Sequence, residues 1–379
     1  MTEIDATSLR RAPVKPGDTR VASRLKKALR GDVRFDRFTR GRYSTDASIY
    51  QIEPVGVVSP KDADDVLATL EIARDEGIPV LPRGGGTSQC GQTVGEAIVM
   101  DCARYMNRLE EWDPASQTAR VQPGIVLDHL NKALKSDGLF FPVDVSTSSR
   151  ATLGGMAGNN SCGSRSLRYG NMVHNVEAID AISIDGERMR FAPLSGNLEE
   201  MDTQRGYGQI VETMTALAAR EAEEIAARFP RVQRRVGGYN IDMVPLPGPA
   251  GGFVRSAGTE GIGTGHPWAN RVGDNMASLL VGSEGTLAFF ETIDLKLAKL
   301  PTHKTLGICH FPTFRAAMEN TKHLVALGPA AVELVDSTLL GLARDIDIYR
   351  PIIETYVKGK PNALLLVEFA GDDPDTQLS

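Results

Sequence analysis

The chain has 379 residues, is 41% hydrophobic and carries a formal charge of −6, enough apolar content for two or three packed domains and too acidic for a nucleic-acid partner. It shows no signal-peptide pattern and no apolar run near the length of a membrane span, so a cytoplasmic protein without a transmembrane segment is expected. Cys90, Cys102, Cys162 and Cys309 form no C-x-x-C pair and the six histidines lack metal-ligand spacing, which points to free thiols and away from a metal site.

Residues 1–42 hold twelve Lys and Arg against five Asp and Glu. This arm reads as a solvated basic leader; the other reading is contact with an acidic partner or the inner face of a membrane. Within it, Val21, Leu25, Ala28 and Leu29 predict a short amphipathic helix that ends at Gly31. Strands are predicted at 55–58, 78–81 and 97–100, with a helix over 60–76 between the first two. Ser59 is the expected N-cap of that helix, Pro60 and the aspartates after it suit its first turn, and Gly77 ends it.

After the second strand come Gly84, Gly85 and Gly86. Their backbones can take angles closed to other residues, so consecutive N–H groups can converge on one point, where Thr87 and Ser88 add hydroxyls. Such a loop can hold a pyrophosphate with little formal charge; a glycine-rich surface turn is the other reading. The fingerprint G-x-G-x-x-G is absent. Gly86 to Thr93 approaches a P-loop, but Gln92 stands where a lysine must reach the outer phosphates, which disfavours an ATP-binding module.

Ala119 to Val121 and Phe140 to Val143 predict strands around a helix from Ile125 to Lys135. Ser146 to Gly170 sets five glycines among Ser, Thr and Asn, and reads as a donor-rich loop that wraps an extended ligand. Gln209 to Arg228 predicts one helix, and Pro245 to Gly273 a mobile excursion. Gly282 and Gly285 bracket Glu284 in a tight turn between apolar strands. Beyond Pro301, strands at 305–310, 331–335 and 363–369 alternate with helices at 313–326 and 337–344. Ten residues after the last strand give that sheet little cover, which implies a second domain only partly contained in the chain.

Five of these segments together resemble one flavoenzyme family: Pro82 to Gln92; Thr152 to Gly155 with Asn159 and Asn160; Arg168-Tyr169-Gly170; Gly238-Tyr239-Asn240; and Gly282 to Leu287. The family has the vanillyl-alcohol-oxidase, or PCMH-type, FAD-binding fold, and the branch is that of the D-lactate, glycolate and D-2-hydroxyglutarate dehydrogenases. Val332 to Asp336 resembles a cap-domain signature. Tyr43 to Ser48 resembles the lead-in of a long branch in which an iron–sulfur domain follows the flavin half.

The resemblance implies an α+β protein with three parts. These are the basic leader over 1–42, a PCMH-type FAD-binding domain of two α/β subdomains over 43–300, and the start of a truncated ferredoxin-like cap over 301–379. It implies that Arg83, Gly84, Gly85, Gly86, Thr87, Ser88, Gly91 and Gln92 hold the FAD pyrophosphate. Ser146, Thr147, Thr152, Gly154, Gly155, Asn159, Asn160 and Gly163 would line the flavin and ribityl chain, with Tyr169 and Glu284 also at the cofactor. Thr87 replaces the histidine through which some relatives attach FAD, so the cofactor is expected to be non-covalent.

The implied reaction is oxidation of a small D-2-hydroxy acid to the 2-oxo acid, with hydride passing to flavin N5 and electrons onward to an unidentified acceptor or an iron–sulfur domain. The iron–sulfur cysteines and the His-bearing metal motif of the cap are missing from this chain, so a cluster is expected only in a further C-terminal part. Arg234, or Arg235 beside it, is the candidate for the substrate carboxylate, against the reading of Arg228, Arg231, Arg234 and Arg235 as a solvated basic run. His174 is the candidate base, against a structural histidine. The alternative function is a flavin-bearing electron-transfer subunit without substrate chemistry of its own; a reductase or a sugar-alcohol oxidase on the same fold also stays open.

Overall fold

The computed structural model describes residues 14–194, 201–230, 232, 234–247, 253–254, 275–373 and 375. The first thirteen residues of the basic arm, Arg231, His266 and most of the stretch expected as a mobile excursion lie outside them.

The first subdomain runs α1 (Thr19–Ala28), β1 (Asp32–Arg34), α2 (Arg37–Tyr43), β2 (Gly56–Ser59), α3 (Ala63–Glu76), β3 (Val80–Arg83) and β4 (Ile98–Asp101). Its sheet has the order β1-β2-β4-β3, with β2, β4 and β3 parallel and β1 antiparallel at the edge. Ile98, Val99 and Met100 of β4 are fully buried, as a central parallel strand requires. Here the solvated-leader expectation is corrected. Val21 and Leu25 of α1 are also fully buried and join Ile72 and Ala73 of α3 in one core, because a helix with such a stripe must cover it.

The same contact is reinforced by a buried acceptor. Asp65 takes the N–H of Arg30 at 2.8 Å and that of Lys61 at 2.9 Å. Asp65→Ala leaves both donors without this partner and is expected to cost about 2 kcal/mol, read as a lower urea midpoint at unchanged slope. The N-cap of α3 is Asp62, not Ser59: Asp62 accepts from Asp64 and Asp65, while Ser59 is held in β2 by pairing with Asp32. The helix starts only after the chain has turned away from the sheet. Gly77 ends it in the left-handed region, as expected.

The second subdomain contains β5 (Leu109–Asp113), β6 (Thr118–Val121), α4 (Leu127–Leu134), β7 (Leu139–Phe140), α5 (Leu153–Asn159), α6 (Ser166–Tyr169), α7 (Met172–Asn175), β8 (Val176–Ile182) and β9 (Arg188–Phe191). It continues through α8 (Gly206–Arg220), α9 (Ala222–Arg228), β10 (Leu246–Pro247), β11 (Phe253–Val254), α10 (Ala277–Leu280), β12 (Phe289–Lys296) and β13 (Ala298–Lys299). Five strands form an antiparallel sheet, β5-β6-β12-β8-β9. Its middle strand is β12, which follows the Glu284 turn. That turn is therefore anchored to the centre of the sheet.

Three expectations change here. The helix from Gln209 to Arg228 is two helices, broken at Glu221. The residues before Gly282 form the helical turn α10, not a strand. The donor-rich segment holds helices α5 and α6: Thr152 caps α5 by accepting the N–H of Gly155, and Leu153, Met156 and Ala157 make its buried stripe.

The cap comprises β14 (His303–Phe311), α11 (Phe314–Val325), β15 (Ala331–Asp336), α12 (Ser337–Asp345), α13 (Arg350–Tyr356) and β16 (Ala363–Gly371). Its antiparallel order, β14-β16-β15, is that of part of a ferredoxin-like unit. Ala363, Leu365 and Val367 pack with Ala317 of α11, whereas Leu364 packs with Leu340 and Val357. Because side chains alternate along a strand, α11 and the α12–α13 pair lie on opposite faces of the sheet. The pair is an insertion between β15 and β16.

Candidate FAD site

Three loops converge on a cavity of about 430 Å³, within the range of small-molecule sites. The first leaves β3 at Gly84. A Cβ on Gly84 would fall 1.9 Å from Thr152 Oγ1, and one on Gly85 2.2 Å from the carbonyl oxygen of Arg150. The glycines are required because the first loop lies directly on the second. Among the described residues, none of the backbone N–H groups from Gly84 to Gln89 donates to a protein acceptor; the N–H of Cys90, next in the chain, reaches Ser88 Oγ at 3.3 Å. A run of six such donors along the cavity, half-buried or exposed, fits an anionic, extended group such as a pyrophosphate.

Arg83 lines the cavity, but its guanidinium is engaged elsewhere. It donates to the carbonyls of Tyr43 (3.1 Å), Thr93 (3.0 Å) and Thr45 (2.7 Å), and lies over the Tyr43 ring. The Tyr43 hydroxyl in turn donates to Asp101 at 2.6 Å; burial first, and Asp101 second, push its pKa up to about 12. The lead-in from Tyr43 is thereby strapped to the base of the glycine loop. Ser88 donates to Gln92, which shapes the loop's far side.

The second loop gives the cavity Ser146, Thr147, Thr152, Gly154, Gly155 and Asn159. The third gives Glu284, whose N–H donates to the carbonyl of Gly158 at 2.9 Å. Its carboxylate accepts from Asn159 at 2.8 Å and from Gln92 at 3.4 Å, so one side chain ties all three loops together. Glu284 sits at φ +53°, a left-handed conformation costly for a residue with a Cβ and tolerated where surroundings enforce it. Burial holds its carboxyl above the ordinary range, opposed by the two amide donors.

Glu284→Ala removes the tie and is expected to weaken FAD binding about tenfold, measured by flavin fluorescence quenching, whereas Glu284→Gln keeps an acceptor and most of the affinity. The pH dependence has a definite sign. An unfolded glutamate ionises before the buried one, so the wild type loses stability as pH rises from about 4.5 through the raised folded value. The melting-temperature advantage of Glu284→Gln should therefore grow over that window and then level off.

Other expected residues are placed differently. Asn160 and Gly163 do not line the cavity: Asn160 caps α5 at φ +54° and accepts the N–H of Val173 at 3.0 Å, while Gly163 lies against Asp144. Gly91 turns beneath the Tyr50 ring, and Tyr169 packs edge-on against Phe140. His174 is buried away from the cavity, with Nδ1 accepting the N–H of Asn171 at 2.9 Å, the geometry of a helix cap and not of a base at a substrate. Arg235 is bound in a two-bond pair with buried Asp242. Arg234 is exposed and, among the described residues, donates only to the Gly163 carbonyl at 3.4 Å.

The sequence reading missed the apolar wall of the cavity, formed by Met156, Ala288, Phe289 and Phe290. Its signal was the apolar run directly after the Glu284 turn. Gly238-Tyr239-Asn240 serves the third loop: Asn240 donates to the carbonyl of Val281 at 2.6 Å, and the Tyr239 hydroxyl bonds Thr286 at 2.8 Å.

Residues 54–192 match the family model of the FAD binding domain, and residues 300–379 that of the C-terminal domain of FAD linked oxidases. The D-2-hydroxyglutarate dehydrogenases of Pseudomonas putida and Escherichia coli are each 33% identical, over 91% and 90% of this chain. The glycolate oxidase subunit GlcD of Bacillus subtilis is 35% identical over 90% of this chain and 57% of its own length. The chain spans about a third of the length of the two dehydrogenases. Among solved structures, an alkyldihydroxyacetonephosphate synthase superposes with a TM-score of 0.62 at 17% identity, covering 98% of this chain and 60% of that one, which shows the fold. With both domain models in chain order and the loops closed on one cavity, the chain belongs to the FAD-linked oxidase family, with a PCMH-type FAD-binding domain followed by a match to the oxidase C-terminal domain.

Proposed function

We propose that the chain forms the flavin half of a dehydrogenase that oxidises a D-2-hydroxy acid to the 2-oxo acid. The observation that carries this reading is the identity with D-2-hydroxyglutarate dehydrogenases over nine-tenths of the chain, joined to a cavity whose donors suit FAD. Bound FAD supplies the acceptor for the hydride from substrate C2.

The chain's own residues would do the rest. The Gly84–Gln89 amides and the Thr87 and Ser88 hydroxyls hold the diphosphate without a lysine. Ser146, Thr147, Thr152 and the amides near Gly154 and Gly155 line the path of the ribityl chain. Gln92, Asn159 and Glu284 fix the loops relative to one another, and Phe289 and Phe290 keep one wall dry. Thr87 has no nucleophilic nitrogen, which supports non-covalent binding. Of the two candidates Arg234 and Arg235, Arg234 has the guanidinium left for a substrate carboxylate, since Arg235 serves Asp242. Four free cysteines support a reducing, cytoplasmic setting, and among the described residues no helix is long and apolar enough to cross a membrane.

The test is anaerobic mixing of the FAD-loaded protein with D-2-hydroxyglutarate, D-lactate or glycolate. Bleaching of the flavin band near about 450 nm by one of them is expected. A yellow protein that none of the three acids bleaches would overturn the dehydrogenase reading in favour of an electron-transfer subunit. A protein that takes up no FAD would overturn both.

A further inference from the structure

Glu284 uses only one of its two carboxylate oxygens within the protein. Both amide donors, Asn159 at 2.8 Å and Gln92 at 3.4 Å, go to Oε1. Each amide is turned that way by a hydroxyl on its own oxygen: Ser161 donates to Asn159 Oδ1 at 3.2 Å, and Ser88 to Gln92 Oε1. Among the described residues nothing donates to Oε2, and that oxygen is not sealed from the cavity that Glu284 lines. Among the same residues no Lys or Arg acts on the carboxylate. A carboxylate without a cation repels a diphosphate at short range, so its place in this cavity calls for donors on the ligand.

The network also sets where those donors lie. Ser88, in the row that faces the diphosphate, is joined to Glu284 through the single side chain of Gln92. The ligand groups beside Glu284 are therefore those that flank the diphosphate, and not the ring systems at the two ends of the cofactor. In FAD the flanking groups are the adenosine ribose and the ribityl chain, and both carry adjacent hydroxyls. We propose that Glu284 Oε2 accepts hydrogen bonds from the sugar hydroxyls beside the FAD diphosphate, which makes Glu284 a cofactor-specificity residue as well as the tie between the loops. In dinucleotide-binding folds an acidic side chain reads ribose hydroxyls in the same way. Hydroxyl donors to Oε2 offset the burial that holds this carboxyl above its ordinary range. The contact rests on FAD as the cofactor, and not on which acid is oxidised.

Flavin fluorescence quenching with two FAD analogues tests the contact. One lacks the 2′- and 3′-hydroxyls of the adenosine ribose, the other the hydroxyls of the ribityl chain. Glu284→Ala is expected to bind FAD about tenfold more weakly than the wild type does, but one analogue only about twofold more weakly. A penalty that shrinks with the first analogue assigns the contact to the ribose, and one that shrinks with the second assigns it to the ribityl chain; either supports the proposal. Glu284→Gln keeps Oε1 for both amides and so keeps the tie. Its smaller loss on FAD, about threefold, is expected to vanish with the same analogue. Circular dichroism checks that both variants are folded. Penalties that stay whole with both analogues leave Glu284 as a tie between loops only and overturn the proposal. A wild type that takes up neither FAD nor the analogues overturns it together with the cofactor assignment.

Discussion

Gly85→Ala is expected to weaken FAD binding about 100-fold, equivalent to about 2.8 kcal/mol, while the chain stays folded. The added methyl group would fall 2.2 Å from a backbone carbonyl oxygen, that of Arg150, and 3.0 Å from its carbon. A side chain could rotate away from such a contact; a carbonyl held in a turn cannot. The Arg150 carbonyl belongs to a turn closed by the N–H groups of Arg150 and Ala151 on the Thr147 carbonyl, both at 2.8 Å. The first loop must therefore lift off the second, and its row of amides loses its aim. Overpacking of this kind costs about 1–3 kcal/mol locally, and here the displacement falls on the groups that bind. Gly95→Ala is the matched control, because its Cβ would meet only Leu81 Cδ2 at 3.6 Å, an ordinary contact. Its FAD affinity should stay within about twofold of the wild type. Equal affinity of Gly85→Ala and the wild type would show that the two loops do not grip the cofactor jointly.

The glycine loop was legible because its chemistry needs residues that few other structures need. Three adjacent glycines after an apolar strand leave little else to build, and fourteen of the residues expected around FAD do line the cavity. Two of the four residues that lie off it share a cause. Asn160 and Tyr169, at the ends of α5 and α6, belong to the same short motifs as lining residues, but a helix turns successive side chains through about 100°, so neighbours in sequence face different ways. Asn160 ends α5 and points into the protein, while Asn159 points at Glu284. Helix α5 itself was hidden by its composition. Three glycines in seven residues read as loop on propensity, yet Gly154 is there to let the helix lie against Pro123, 2.6 Å from where its Cβ would fall. Strand β8 was hidden by its partners: Asp180 interrupts the apolar pattern because it is paired with Arg120 and Arg190 on the open face of the sheet.

What no local pattern could show is how the cap is held. Arg165→Met is expected to destabilise cap docking by about 2 kcal/mol, between the values typical of exposed and of buried pairs. Arg165 Nε and Nη2 donate to the two carboxylate oxygens of Glu368 at 2.8 and 3.0 Å, across 203 residues of sequence. Both side chains are about three-quarters buried. On the other side, Asp144, next to the cavity residues Val145 and Ser146, accepts the Arg165 N–H at 3.0 Å, and Arg168 donates to the Ala370 carbonyl. One arginine thus connects the wall of the cofactor cavity to the central strand of the cap.

The pairing with Arg165 holds the Glu368 carboxyl below its ordinary value. A lowered carboxylate stabilises the folded form fully above the unfolded value of about 4.5 and loses that contribution as pH falls through the folded value. Calorimetry from pH 6 to about 3 should therefore show the wild-type cap transition falling with acid, and that of Arg165→Met changing much less. A second substitution separates the pair from the packing around it. Glu368→Leu added to Arg165→Met replaces an orphaned charge with an apolar side chain, so the double variant should recover part of the loss. If the two substitutions simply add, the arginine and the glutamate are not acting on each other, and the cap is held by its apolar contacts alone.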